Sequence, residues 1–245
     1  SLLMNKKTLF FAAKFAVSAL LIWVIAATFE IGPAADRFGN LRHSYLAGAV
    51  GIFLVIWINN TARWRVVLRA IQSHLPFPVA SKILYISFFF NQTLPSAIGG
   101  DAFRIFLAHK AGVDLKGAVN GVMLERVATL AGLILLVVMT QPFLLARIGD
   151  NPAKFVFPAL AVIIVAGTAL VMLLDQLPER FQNWRIVRGL GYLAADTKKL
   201  FLSPSHAFRA LGLGITGNIL VALMVYMTAR SLSIEVTMLD CLVLV

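Results

Sequence analysis

The sequence has a single cysteine, Cys241, in 245 residues. No intrachain disulfide can form, and a thiolate zinc site is excluded. Its 4 histidines stand apart at positions 43, 74, 109 and 206, with neither HxxxH nor HExxH spacing, so no metal site is expected. The P-loop, the GxSxG elbow and the Asp-x-Asp pair of metal-dependent sugar transferases are all missing. No catalytic residue and no cofactor is expected from these motifs. Charge is scarce as well: only 13% of residues are charged and 60% are apolar. An average soluble domain holds about 25% charged and about 45–50% apolar residues. That balance excludes an ordinary soluble enzyme, and it equally excludes a disordered chain. Acidic residues are the scarcest charges, 11 against 22 Lys+Arg, for a net charge of +11. In a soluble chain such an excess suggests nucleic acid, but no aromatic-interleaved basic motif accompanies it. In a membrane chain it reports orientation and anionic lipid.

What the sequence does have is long apolar runs. A bilayer-crossing helix needs about 20 apolar residues. The runs predict spans at about 8–29, 44–62, 117–146, 153–175 and 207–230, with a partial one at 236–245. The first run, interrupted only by Lys14, lacks a clear small-x-small cleavage site and reads as a retained helix rather than a signal peptide. The last run stops after ten residues, so a longer natural chain is expected. One polytopic domain is the simplest organisation.

The stretch 83–111 behaves differently. It opens apolar through Phe88-Phe89-Phe90, turns polar at Asn91-Gln92-Thr93, and meets Leu94-Pro95-Ser96 and then Gly99-Gly100. Pro95 removes a helical hydrogen bond and biases Leu94 away from helix, and paired glycines disfavour helix too. Interrupted backbone at membrane depth survives only against protein or a water-filled cavity. The segment therefore reads as a re-entrant hairpin, two short helices meeting at the Pro-Ser/Gly-Gly break. With the N-terminus cytoplasmic and this segment not crossing, fifteen cations fall inside and five outside, with Lys14 and Arg126 within spans. That is the positive-inside pattern. Arg63 and Arg104 count among the inside fifteen.

Residues 176–206 form the longest polar connection. Phe181, Trp184, Val187 and Leu190 recur at helical spacing among Arg180, Arg185 and Arg188. This suits an amphipathic helix on an anionic inner leaflet, or a connecting helix packed under the bundle. Gly212-x-Gly214-x-x-Gly217 matches a dinucleotide fingerprint in letters only. It lies inside a span with no strand before it, so close helix packing is the better reading, with Asn218 placed to hydrogen-bond across the contact.

Two charged clusters remain. Asp101 after Gly99-Gly100 reads as a helix N-cap with Arg104 one turn on. Glu125-Arg126 sits about 12 Å along the helix that begins near Gly117. A charge at mid-bilayer costs about 2.5–3.5 kcal/mol. Adjacent residues on a helix do not face each other, so each needs a partner elsewhere. Pairing Asp101 with Arg126 and Glu125 with Arg104 would pin the hairpin against this helix. A structural lock would explain that much. Four charges together with Asn91, Gln92, Thr93 and Ser96 are more polarity than a lock requires, which points to a cavity for a lipid headgroup. The expected headgroup residues are Asn91, Gln92, Thr93, Pro95, Ser96, Gly99, Gly100, Asp101, Arg104, Glu125 and Arg126.

The pattern Asn91…Leu94-Pro95-Ser96-x-x-Gly99-Gly100-Asp101-x-x-Arg104, then Gly112, then Glu125-Arg126, with Arg63-Trp64-Arg65 upstream, resembles the lysylphosphatidylglycerol synthase transmembrane (flippase-like) family, the membrane portion of the multiple peptide resistance factor. The resemblance covers roughly residues 60–132. It implies an α-helical bundle with re-entrant segments and inverted halves in the bacterial inner membrane. It also implies movement of an anionic or aminoacylated phospholipid, or a polyprenyl-phosphate-linked lipid, between leaflets. A second Pro-Ser/Gly-Gly-like break, expected in the other half, does not occur in these residues. Neither does the soluble aminoacyl-transferase domain, so lysyl transfer is not expected of this chain. The expected partners are the lipid substrate and anionic inner-leaflet lipid at Arg180, Arg185 and Arg188, with no nucleic acid; self-association stays open. Two other readings stand beside transport. One is a membrane-embedded glycosyl- or aminoacyl-transfer enzyme, or its accessory subunit. The other is a structural, partner-anchoring bundle.

Overall fold

A computed structural model describes residues 41–93, 97–148 and 185–244, with isolated residues between 17 and 39 and between 155 and 167. Among the described residues there is helix and no strand. The helices are α1 (His43–Ala70), α2 (Phe77–Thr93), α3 (Ala97–Lys110), α4 (Leu115–Ile148), α5 (Arg185–Phe201), α6 (Pro204–Ser231) and the short α7 (Met238–Leu244). The spans expected at 8–29 and 153–175 fall largely outside the described residues.

Among those described, α1, the Leu115–Gln141 stretch of α4, and α6 are long and apolar enough to cross a membrane. Only 22–33% of the residues in their most apolar windows are buried within the protein. The apolar remainder faces outward, as Phe53, Leu54 and Ile58 do on α1 and Leu135, Val138 and Met139 on α4. A soluble monomer rarely exposes contiguous apolar surface on that scale, whereas lipid tails solvate it without cost.

The contacts fix how the helices run. Leu68 and Trp64 of α1 lie against Gly121 of α4, and Asn59 and Arg63 lie against Gly217 of α6, whereas Gly48 near the start of α1 meets Met227 near the end of α6. Both α4 and α6 thus run antiparallel to α1. The end of α1 and the start of α4 sit together, with Ser73 touching the Gly117 position. Everything between them, α2 and α3 included, leaves and returns at one end of the bundle. The core lies at that end: Trp64, Leu68, Leu84, Ala108, Leu124 and Leu200 are fully or almost fully buried there.

The helix α2 climbs beside α1, with the Trp57 indole donating to the Ser81 carbonyl at 3.2 Å and Trp57 and Tyr85 in ring contact. The helix α3 returns along α2, with Phe90 and Phe103 stacked 3.7 Å apart. Their lengths, 17 and 14 residues, fall short of the roughly 20 a crossing requires. Gly112 at φ +100° ends α3, where the Val113 N–H reaches back to the Ala108 carbonyl at 3.1 Å. This is a glycine C-terminal stop that most side chains would strain.

Two boundaries differ from those read in the sequence. α3 begins at Ala97, so Gly99 and Gly100 are helical and Asp101 lies inside the helix rather than capping it. Gly100 serves close approach instead: a Cβ there would collide with the Asn91 side chain and stand 2.5 Å from the Ser87 carbonyl oxygen. The interruption in the hairpin is therefore narrower than expected. Likewise α1 runs on to Ala70, which carries Arg63 into the bundle instead of a loop.

Of the three glycines at 212, 214 and 217, Gly214 and Gly217 sit at close helix contacts as expected, whereas a Cβ on Gly212 would meet nothing within 4 Å. A Cβ on Gly132 of α4 would lie 2.8 Å from the Gly214 backbone of α6. The hydrogen bond across the neighbouring contact comes from Asn59, whose Nδ2 donates to the Leu213 carbonyl at 3.0 Å. Asn218 does not make it; its buried Nδ2 has no partner among the described residues.

α5 packs under the bundle over its second half. Ala194, Thr197 and Leu200, at helical spacing, are buried. The Asn120 amide donates to Asp196 Oδ2 at 2.6 Å, Lys199 reaches Oδ1 at 2.9 Å, and Lys116 lies 3.3 Å over the Tyr192 ring. Arg180 and the side chains of Arg185 and Arg188 lie outside the described residues.

Candidate functional site

The charged residues flagged in the sequence come together about a third of the way along α4. Glu125 is ten residues into that helix, about 15 Å from its start. Both anticipated pairs exist. Arg126 holds Asp101 through Nε at 3.1 Å and through Nη2 at 2.9 Å to both carboxylate oxygens. Arg104 Nη1 donates to Glu125 Oε2 at 3.1 Å. α3 is thus tied to α4 on two neighbouring turns.

A third arginine completes the buried half. Arg63 of α1 donates Nε at 2.9 Å and Nη2 at 2.5 Å to Glu125 Oε1. Arg63, Arg104 and Glu125 are 5%, 3% and 4% exposed. Gly217 of α6 makes room for this group: a Cβ there would stand 3.2 Å from Arg63 Nη1. Thr129 Oγ1 adds a weaker bond to Glu125 Oε1 at 3.4 Å. The sequence had assigned Arg63 to an inside loop. The run of residues 44–62 ends next to Arg63, and the helix continues past it to Ala70.

The arginines differ in burial. Arg126 lies within the membrane-length stretch of α4, as expected from the sequence, with a side chain 50% exposed, against 18% for Asp101. The buried cations are Arg63 and Arg104. The cluster therefore divides into a buried triad of two cations and one anion, and a half-exposed bidentate pair beside it.

Arg104 is stacked over Trp64, its Cζ 4.1 Å from the ring centroid. Its Nε and Nη2 are buried without a partner among the described residues, as are Trp64 Nε1 and Asn91 Oδ1. Asn91 belongs to the cluster's edge through its contact at Gly100. Gln92 is exposed on α2 and is not drawn in. Pro95 and Ser96 lie outside the described residues, as does the side chain of Thr93. Among the described residues no group of three or more His, Cys, Asp or Glu is placed to hold a metal ion.

The long apolar helices, their outward apolar faces and the charges held between them define a polytopic α-helical membrane protein. The chain belongs to the lysylphosphatidylglycerol synthase TM region family, whose model matches residues 11–245. No curated protein and no solved structure matches it.

Proposed function

We propose that this chain is a flippase-like lipid transporter of the bacterial inner membrane. On this reading it moves an anionic or aminoacylated phospholipid, or a polyprenyl-phosphate-linked lipid, between leaflets. One observation carries the reading: two buried arginines, Arg63 on membrane-length α1 and Arg104 on the short α3, share one buried carboxylate, Glu125, on membrane-length α4. A lock would balance its charges, because each uncompensated charge at that depth costs a few kcal/mol. An excess cation is stabilised when an anionic headgroup joins it, and buried ionisable groups in such helices mark substrate pathways.

The remaining geometry fits. The α2–α3 hairpin leaves and returns at one end of the bundle, with its tip side tied to Glu125 and Arg126 of α4, which suits a re-entrant pair bordering a polar cavity. We place that end, and the N-terminus, at the cytoplasmic side, where Arg65, Arg69, Lys82, Lys110 and Lys116 cluster. Arg180, Arg185 and Arg188 would meet anionic lipid there. Rocking of one group of helices against another would carry the headgroup across.

The test is headgroup movement in proteoliposomes containing labelled phosphatidylglycerol or its aminoacylated form. The protein should accelerate movement over protein-free vesicles, and Arg104→Ala should abolish the gain while the protein remains folded. Movement no faster than in empty vesicles overturns the proposal. Product formed from a lipid acceptor and an activated donor would replace it with a transferase.

A further inference from the structure

The three arginines of the cluster do not use their guanidinium groups alike. The side-on edge of a guanidinium, Nε with Nη2, is the fork that grips two oxygens at once. Arg126 spends that fork on Asp101, and Arg63 spends it on Glu125. Arg104 does not. It meets Glu125 through Nη1 alone, which leaves both Nε and Nη2 buried and unpartnered among the described residues. Its orientation is fixed on two sides, by Trp64 beneath the plane and by Glu125 at the far nitrogen.

A buried unpartnered donor costs about 1–3 kcal/mol, and more when charged. Two on one group, held rigidly by a π-face and a carboxylate, make a preformed receptor for an oxyanion. Trp64 Nε1 is a third buried donor without a described partner, against one such acceptor, Asn91 Oδ1, so donors outnumber acceptors in the set. Such a set refuses an ammonium and accepts an anion.

Resting on the transport reading above, we propose that the Nε/Nη2 fork of Arg104 is the binding site for the two unesterified oxygens of a lipid phosphodiester. This assigns the phosphate to one arginine. Arg63 and Arg126 do not grip it: the first holds Glu125 in place and the second ties α3 to α4. Recognition then depends on the phosphate and not on what is esterified beyond it. An amine on the headgroup would be read elsewhere, nearer the half-exposed Asp101.

The experiment uses the full chain in lipid nanodiscs and compares phosphatidylglycerol with its methyl phosphotriester, which keeps the glycerol but loses one anionic oxygen. Bound lipid is read by native mass spectrometry. The diester should bind at least ~10-fold more tightly, the equivalent of about 1.4 kcal/mol. Arg104→Lys keeps the charge but not the fork, and should reduce that preference to within about twofold. Should Arg104→Lys fail to fold, the two lipids on the unaltered protein decide the matter alone. Equal binding of both lipids, with movement intact, overturns the fork and leaves transport standing. Movement of neither lipid overturns transport itself. Inorganic phosphate retained by the unaltered protein in place of lipid, and lost in Arg104→Lys, would assign the fork to free phosphate and overturn the lipid source.

Discussion

Arg63 directs both Nε and Nη2 at a single oxygen of Glu125, Oε1, and leaves Oε2 to Arg104. Glu125 therefore holds α1 and α3 to α4 at once. Glu125→Gln keeps the shape but leaves two buried guanidinium groups facing a neutral amide. Breaking a buried ion pair from one side typically costs about 3–5 kcal/mol. The variant should unfold at markedly lower temperature in detergent than Asp101→Asn, which strands one half-exposed guanidinium where Glu125→Gln strands two buried ones. Equal losses would show that Glu125 is not the central tie.

The Asp101–Arg126 pair makes a cleaner case for charge alone. It is bidentate and joins neighbouring helices, with no third charged group bonded to it among the described residues. Arg126→Asp by itself places two acids together, and Asp101→Arg places two cations together. Each should lower thermal stability, and the double exchange should recover part of the loss, since residues in direct contact couple. Additive losses in the double variant would contradict a charge-based tie.

Glycines on α4 and α6 give a prediction with an internal control. A methyl on Gly132 would stand 2.8 Å from the Gly214 backbone, which cannot yield without moving a helix. Gly132→Ala should cost about 1–3 kcal/mol, the usual range for overpacking. Gly212 lies on another face of α6, with nothing within 4 Å of an added methyl. Gly212→Ala should be neutral or stabilising, because alanine favours helix by about 1 kcal/mol. Thermal unfolding of the two variants in the same detergent checks both, and similar losses would refute the contact.

Much of this was readable from the residues themselves. The apolar runs located α1, α4 and α6, because lipid leaves little else for such a run to do. The pairing of Asp101 with Arg126 and of Glu125 with Arg104 followed from helix geometry, since neighbours on one helix cannot satisfy each other. Arg63 was lost because its neighbours Arg65 and Arg69 look like a loop; only the packing shows that α1 carries all three past the apolar run. The glycines were misread for a similar reason. Propensity marks Gly99-Gly100 as a helix breaker, but the tertiary contact at Ser87 and Asn91 outweighs a cost of about 1 kcal/mol. Nor could spacing show which arginine is buried, because burial depends on which face the neighbouring helices cover.

The docking of α5 supplies the last prediction. Asp196 is buried and holds Asn120 Nδ2 at 2.6 Å on one oxygen and Lys199 at 2.9 Å on the other. Lys199 is half exposed, so its bond contributes little; Asn120 is buried at 5% exposure and has much to lose. Asp196→Ala strands that amide, which costs about 1–3 kcal/mol. The cost falls at a helix joined to the bundle chiefly by Ala194, Thr197 and Leu200. The variant should therefore release α5 locally before it unfolds the protein. Hydrogen exchange should quicken across residues 192–201 while the helices bearing Arg63, Arg104 and Glu125 keep their protection. Lys199→Ala should leave exchange nearly unchanged. If Asp196→Ala exchanges as the unaltered protein does, the buried pair does not hold α5, and apolar contact alone must.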